Sequence, residues 1–185
     1  MMRKSRTVAG ILLAGAALAL FVAGPVMIYQ GVHGQSQIRT ELTNQKITFP
    51  AKGSSSLPAS LAAYAGRQVT TGPQAKAYAD MVEVHVKEAT GGRTYSEVSA
   101  AYMASGSKDA TLAAQRQTAF MGETLRGSLM SAYQAWELSW LVIGLGALFF
   151  GLSFVFAASA WAIRPQRVRV PESPEVLQHK EVTTS

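Results

Sequence analysis

Not one cysteine occurs among the 185 residues of this chain, which excludes a disulfide framework, a thiolate metal site and lipoprotein attachment. Charge is scarce too. Asp, Glu, Lys and Arg make up 15% of the residues, where a soluble domain carries about a quarter. The shortfall is concentrated, since residues 8–29 and 138–163 contain none of the four. Histidine is limited to three residues, and no Gly-x-Ser-x-Gly or comparable nucleophile motif is present. Catalytic chemistry is therefore thinly provided for.

The two charge-free blocks are apolar, and each exceeds the roughly 20 residues needed to cross a hydrocarbon core of about 30 Å. They predict two transmembrane helices, 8–30 and 138–163. A secretory leader is the competing reading of the first, because "MMRKSR" makes a positive n-region. However, its apolar run outlasts the ~7–15 residues of a typical leader, and Pro25 directly follows the small residues of "FVAG". A retained span is expected.

Flanking charge sets the orientation. Arg3, Lys4 and Arg6 precede the first block; Arg164, Arg167 and Arg169 follow the second. Basic residues near span ends stay on the cytoplasmic side. This predicts a cytoplasmic N-tail (1–7), an extracytoplasmic domain (31–137) and a basic, disordered cytoplasmic tail (164–185) with Pro165, Pro171 and Pro174. The domain carries ten basic and eight acidic residues, so it is nearly balanced and most of the +6 net charge sits in the tails, where it can meet anionic lipid. The pI of 9.8 is then no nucleic-acid signal, and no nucleic-acid partner is expected.

Trp136 and Trp140 fall at the outer end of the second block and Trp161 at the inner end, as an aromatic belt would place them. Gly15, Ala19 and Ala23 form a small-residue stripe in span 1, and Gly144, Ala147 and Gly151 one in span 2. Such stripes allow close backbone approach in lipid. Specific span pairing and plain abundance of Gly and Ala both account for them. "GLGALFFG" resembles a nucleotide loop only loosely and follows no strand.

Between the blocks, "NQKITFPAKGSSSLPAS" begins extended and becomes a Gly/Ser/Pro loop. A short helix is expected at Ala59–Tyr64, ended by Gly66. Pro73 opens a helix that Gly91 and Gly92 stop. On that helix, Lys76–Asp80 and Glu83–Lys87 are i,i+4 pairs of opposite charge on one exposed face. His85 falls on the opposite, apolar face with Tyr78, Met81, Val82, Val86 and Ala89. It is expected to be structural, with Glu88 or a backbone carbonyl as its partner. A metal role would need a third convergent ligand. Thr94 and Glu97 have the spacing of a capping box for the next helix.

A last helix starts near Asp109 and runs into span 2. Ala114, Thr118, Met121, Leu125, Leu129, Ala132 and Trp136 make a heptad-like seam along it. Packing against the preceding helices is the expected use of Met121, Leu125, Leu129, Ala132 and Trp136; self-association or a protein partner is the alternative.

At "QKITFP", "QAKAYADMVEVHVKEATGGRTYSEVSAA" and "ETLRGSLMSAYQAW" the chain resembles a family of small actinobacterial two-span membrane proteins, often labelled aromatic ring-opening dioxygenase. The resemblance covers residues 8 to about 160 and implies both spans. Extradiol ring opening at non-haem iron would require two histidines and a carboxylate. The external region offers His33, at the membrane edge, and His85, on a packing face. The label is not supported, and no catalytic residue transfers.

These observations predict a mainly α membrane protein: two transmembrane helices with a small helical extracytoplasmic domain inserted between them, its last helix running into the second span. The expected role is an interaction or structural subunit of the cell envelope, bound to the lipid bilayer and to a protein partner or itself. No catalytic residue, cofactor or metal is expected. A sensor coupling the external domain to the cytoplasmic tail is the alternative. An envelope enzyme using His85, Glu88 or the serines of "GSSS" ranks last.

Overall fold

Long apolar runs make long helices, and two of them dominate the computed structural model, which describes residues 2–164, with side chains from Ser5 onward. The chain is mainly helical, and both long helices are apolar enough to cross a membrane. Helix α1 spans Met2–Asn44, α2 Gly72–Thr90, α3 Tyr95–Ala104 and α4 Ala110–Ala162, with a 3-10 turn at Ala59–Tyr64. The expected disordered tail, apart from Arg164, lies outside the described residues.

Both long helices run past the boundaries that charge alone suggests. α1 continues beyond Tyr29 to Asn44, and α4 carries residue 137 into 138 without a break. Pro25 sits inside α1. The chain divides instead into two compact units, Met1–Phe21 with Gly151–Ser185, and Val22–Phe150.

In the first unit the described ends of α1 and α4 pack through small residues. Ala17, Ser153 and Ala160 are buried, and Phe21 meets Phe154 edge to face at 6.1 Å. In the second unit Gly24 and Gly146 touch backbone to backbone. A Cβ on either would lie 2.7 Å from the other's carbonyl oxygen. Gly31 is as close to Ile143 and Ser139.

The expected small-residue stripes are thus displaced. Gly15, Ala19, Gly144, Ala147 and Gly151 are exposed and Ala23 is half-buried. The buried small residues recur every seventh position, at Ala17, Gly24 and Gly31 on α1, with half-buried Gly10 in the same register, and at Ser139, Gly146, Ser153 and Ala160 on α4. The reason is geometric. A step of seven drifts only about 20° around a helix, whereas the i, i+4, i+8 pattern chosen for span 1 winds away from any one partner.

The rest of the second unit is a small helical layer. Extended residues on either side of the Gly/Ser/Pro loop pair through Phe49 N–H to Arg67 O and Val69 N–H to Ile47 O, both 2.9 Å. Among the described residues this bridge is isolated and forms no strand. It drops Phe49 between Tyr64 and Tyr78, each 5.1 Å from its ring centre. Phe49, Val69, Leu42, Ala75, Ala79, Met81 and Leu129 form the core.

Helix α2 starts at Thr71, where the Gln74 amide oxygen accepts from the Thr70 and Thr71 N–H groups, and ends at left-handed Gly91, φ 64°. Its first turn lies flat on α4. Gly72 is so close to Trp136 that any side chain at 72 would overlap the indole. Trp136 is therefore buried, with the Arg39 guanidinium 5.9 Å from its ring, and does not belong to an aromatic belt; Trp140 and Trp161 remain exposed.

Candidate functional site

The seam expected on α4 divides when its neighbours are in place. Leu129 and Trp136 are 3% and 7% exposed and Ala132 is half-buried, but Met121 is 61% and Leu125 37% exposed. Above Leu129 the face turned to α2 is one residue along, at Ala119, Gly122 and Arg126. Ala119 is fully buried, and a Cβ at Gly122 would overlap a Val86 methyl. Large apolar residues suggested the seam, yet close helix approach is made by small ones, and that leaves Met121 and Leu125 outside. Gly122 is itself a contact point.

Arg126 secures this register by reaching Glu83 on α2 at 2.5 Å and Glu123 at 3.2 Å. Glu83 also takes Lys87 at 2.7 Å. The Lys87 hydrogen bond, and then the Arg126 charge, hold the Glu83 carboxyl below the usual carboxylate range. Lys76, bonded to Asp80 at 2.8 Å, is held above the usual lysine range by that carboxylate.

Leu125 faces a groove of about 410 Å³. The last turns of α1 contribute Ile38 and Leu42, the extended segment contributes Ile47, and α4 contributes Leu125, Leu129 and Ala132. Leu42 and Leu129 belong to the core, so the groove lies directly over it. Gln37, Gln45 and Ser128 supply amide and hydroxyl groups, and Glu41 the one ionisable side chain. A second hollow of about 340 Å³ adjoins it through Gln37 and Ile38, where Gly31 and Gly34 leave space beside Leu138 and Val142. Its volume falls within the ~300–1,000 Å³ typical of ligand sites, and its lining is suited to holding an apolar segment.

His33 stands beside this groove, its ring stacked on Tyr29 at 6.0 Å and bonded to Gln37 at 3.2 Å. His85 is half-buried and, among the described residues, makes no hydrogen bond to Glu88, which is exposed, or to a carbonyl. The partner expected for it is not there. Ala89, expected on the apolar face, is exposed. Thr94 and Glu97 interlock: Thr94 Oγ1 accepts from the Glu97 N–H at 3.3 Å, and the Glu97 carboxylate accepts from the Thr94 N–H at 2.7 Å. That backbone bond is the main reason the Glu97 carboxyl is held below its usual range. Among the described residues, no three His, Asp or Glu side chains converge as a metal would require.

Sequence reasoning missed Ile38, Leu42 and Ile47 because it ended the first helix near residue 30. The signal was present: Gly31, Ile38 and Leu42 prolong the inward face of α1 at helical spacing. Comparison with protein-family models, with curated proteins and with solved structures finds no match to this chain.

Proposed function

We propose that this protein is a two-span membrane protein whose helical layer lies outside the cytoplasmic membrane and serves as a docking subunit of an envelope assembly. Membrane insertion is supported by where the apolar side chains point. Only 11% of each apolar window is buried. Ile11, Leu12, Leu18, Val22, Leu141, Leu148 and Val155 face outward with no protein over them. A soluble core helix would hide them, and in water they would aggregate. Cytoplasmic termini are supported by the Arg and Lys residues outside both blocks.

The observation that carries docking is the groove beside Leu125, apolar in its depth, amide-lined and continuous with the hollow reaching Leu138 and Val142. Its chemistry is that of recognition; the groove brings together no nucleophile and base. A partner's amphipathic helix would place apolar residues against Ile38, Leu125 and Leu129 and polar ones toward Gln37, Gln45 and Ser128.

Leu125→Glu tests this reading. Leu125 is already partly in water, so the variant should keep its helical circular dichroism while the assembly extracted in mild detergent shrinks. A folded variant in an unchanged assembly would remove the groove from the interface. An unfolded one would return Leu125 to the core.

A further inference from the structure

The described part of the first unit contains Arg3, Lys4, Arg6 and Arg164 but no Asp or Glu; side chains are described for Arg6 and Arg164. Among the described residues of the unit, no carboxylate stands beside these guanidinium groups. Both line a single cleft of about 200 Å³ between the start of α1 and the end of α4. Its other walls are Thr7 and the apolar residues Gly10, Ile11, Ala14, Ala160 and Ile163. Ala160 is 7% exposed and Gly10 half-buried while both arginines are open to solvent, so the charged groups lie outside these two residues. Gly10 lies opposite Ala160: a Cβ there would meet the Ala160 carbonyl at 3.9 Å, ordinary contact distance.

We propose that this cleft binds the phosphate headgroup of an anionic phospholipid, with the upper part of an acyl chain against Gly10, Ala14 and Ala160. The inference rests on the two-span reading, which sets Arg6 and Arg164 at the cytoplasmic headgroup level. Three features favour such a ligand. Two planar forks can each give a phosphate paired hydrogen bonds. Among the described residues of the unit, no carboxylate competes for them. The apolar floor suits a lipid and not a free anion, and basic clefts between spans on this side of a membrane hold acidic headgroups.

The test uses the full chain in nanodiscs of equal phosphatidylglycerol and phosphatidylcholine, transferred to detergent, with retained lipids counted by native mass spectrometry. The wild type should keep phosphatidylglycerol in preference to phosphatidylcholine. In R6Q/R164Q that preference should fall roughly tenfold or more, since each arginine near a charged surface contributes substantially. R167Q/R169Q loses the same charge from the tail and should retain the preference. Gly10→Leu, which fills the floor and keeps both arginines, should weaken retention as well.

Equal loss in the two double variants would mean diffuse attraction and overturn the site. Displacement of the lipid by inorganic phosphate at matched concentration would also overturn it, in favour of a simple anion. Alkaline carbonate extraction separates this inference from its premise. A protein released from membranes contradicts the two spans, whereas one that stays and shows no lipid preference contradicts only the cleft.

Discussion

The Glu83 carboxylate joins two helices, receiving Lys87 from its own helix at 2.7 Å and Arg126 from α4 at 2.5 Å. Because both cations lower its pKa, the folded state keeps this charge to lower pH than the unfolded chain does. The stabilisation is complete above the ordinary Glu range, near about 4.3, and is lost as pH falls through the lower folded value. Glu83→Gln should therefore melt a few degrees below wild type at pH 7. The difference should be small, because the pair is about one-third exposed and screened by water. It should shrink progressively as pH falls below the ordinary Glu range. A difference that persists in acid would mean that shape, and not charge, makes the contact.

Two glycines of α4 should respond in opposite directions. Gly122 abuts Val86, a β-branched side chain with little rotamer freedom, while Gly127 has open space around it. Gly122→Ala should destabilise by about 1–3 kcal/mol through overpacking. Gly127→Ala should stabilise by about 0.5–1 kcal/mol, because Ala loses less backbone entropy in a helix. Thermal melts of both variants check the register of α4 on α2; stabilisation by both would show that register to be wrong.

Gln35 holds a buried amide nitrogen without an acceptor among the described residues. An unpaired buried donor costs about 1–3 kcal/mol, so Gln35→Met, similar in length and apolar, should raise the melting temperature. A lower one would reveal an acceptor supplied by a partner or by lipid.

What could be read beforehand was local. The Thr94–Glu97 box, the Asp109 cap, the Gly91 stop and the Lys76–Asp80 pair each depend on residues within four positions of one another. Features set by two segments meeting were not readable. Ala119 and Gly122 carry no hydrophobic signal, yet they bring α4 against α2 and turn Met121 and Leu125 outward. The groove needs α1, the extended segment and α4 together, and no periodicity on one of them predicts it. His85 occupied the right face by helical angle, but whether a partner waits there is a tertiary matter.

The central claim is that the groove lies outside the cytoplasmic membrane, on a protein held by two spans. The chain's lack of cysteine makes each introduced thiol unique. Ser55→Cys in the exposed loop and Ser128→Cys in the groove should react with a membrane-impermeant maleimide in intact cells. Ser173→Cys in the tail should react only after lysis. That pattern is the predicted result; labelling of Ser173→Cys in intact cells, with Ser55→Cys and Ser128→Cys protected, would place the groove in the cytoplasm and contradict the account.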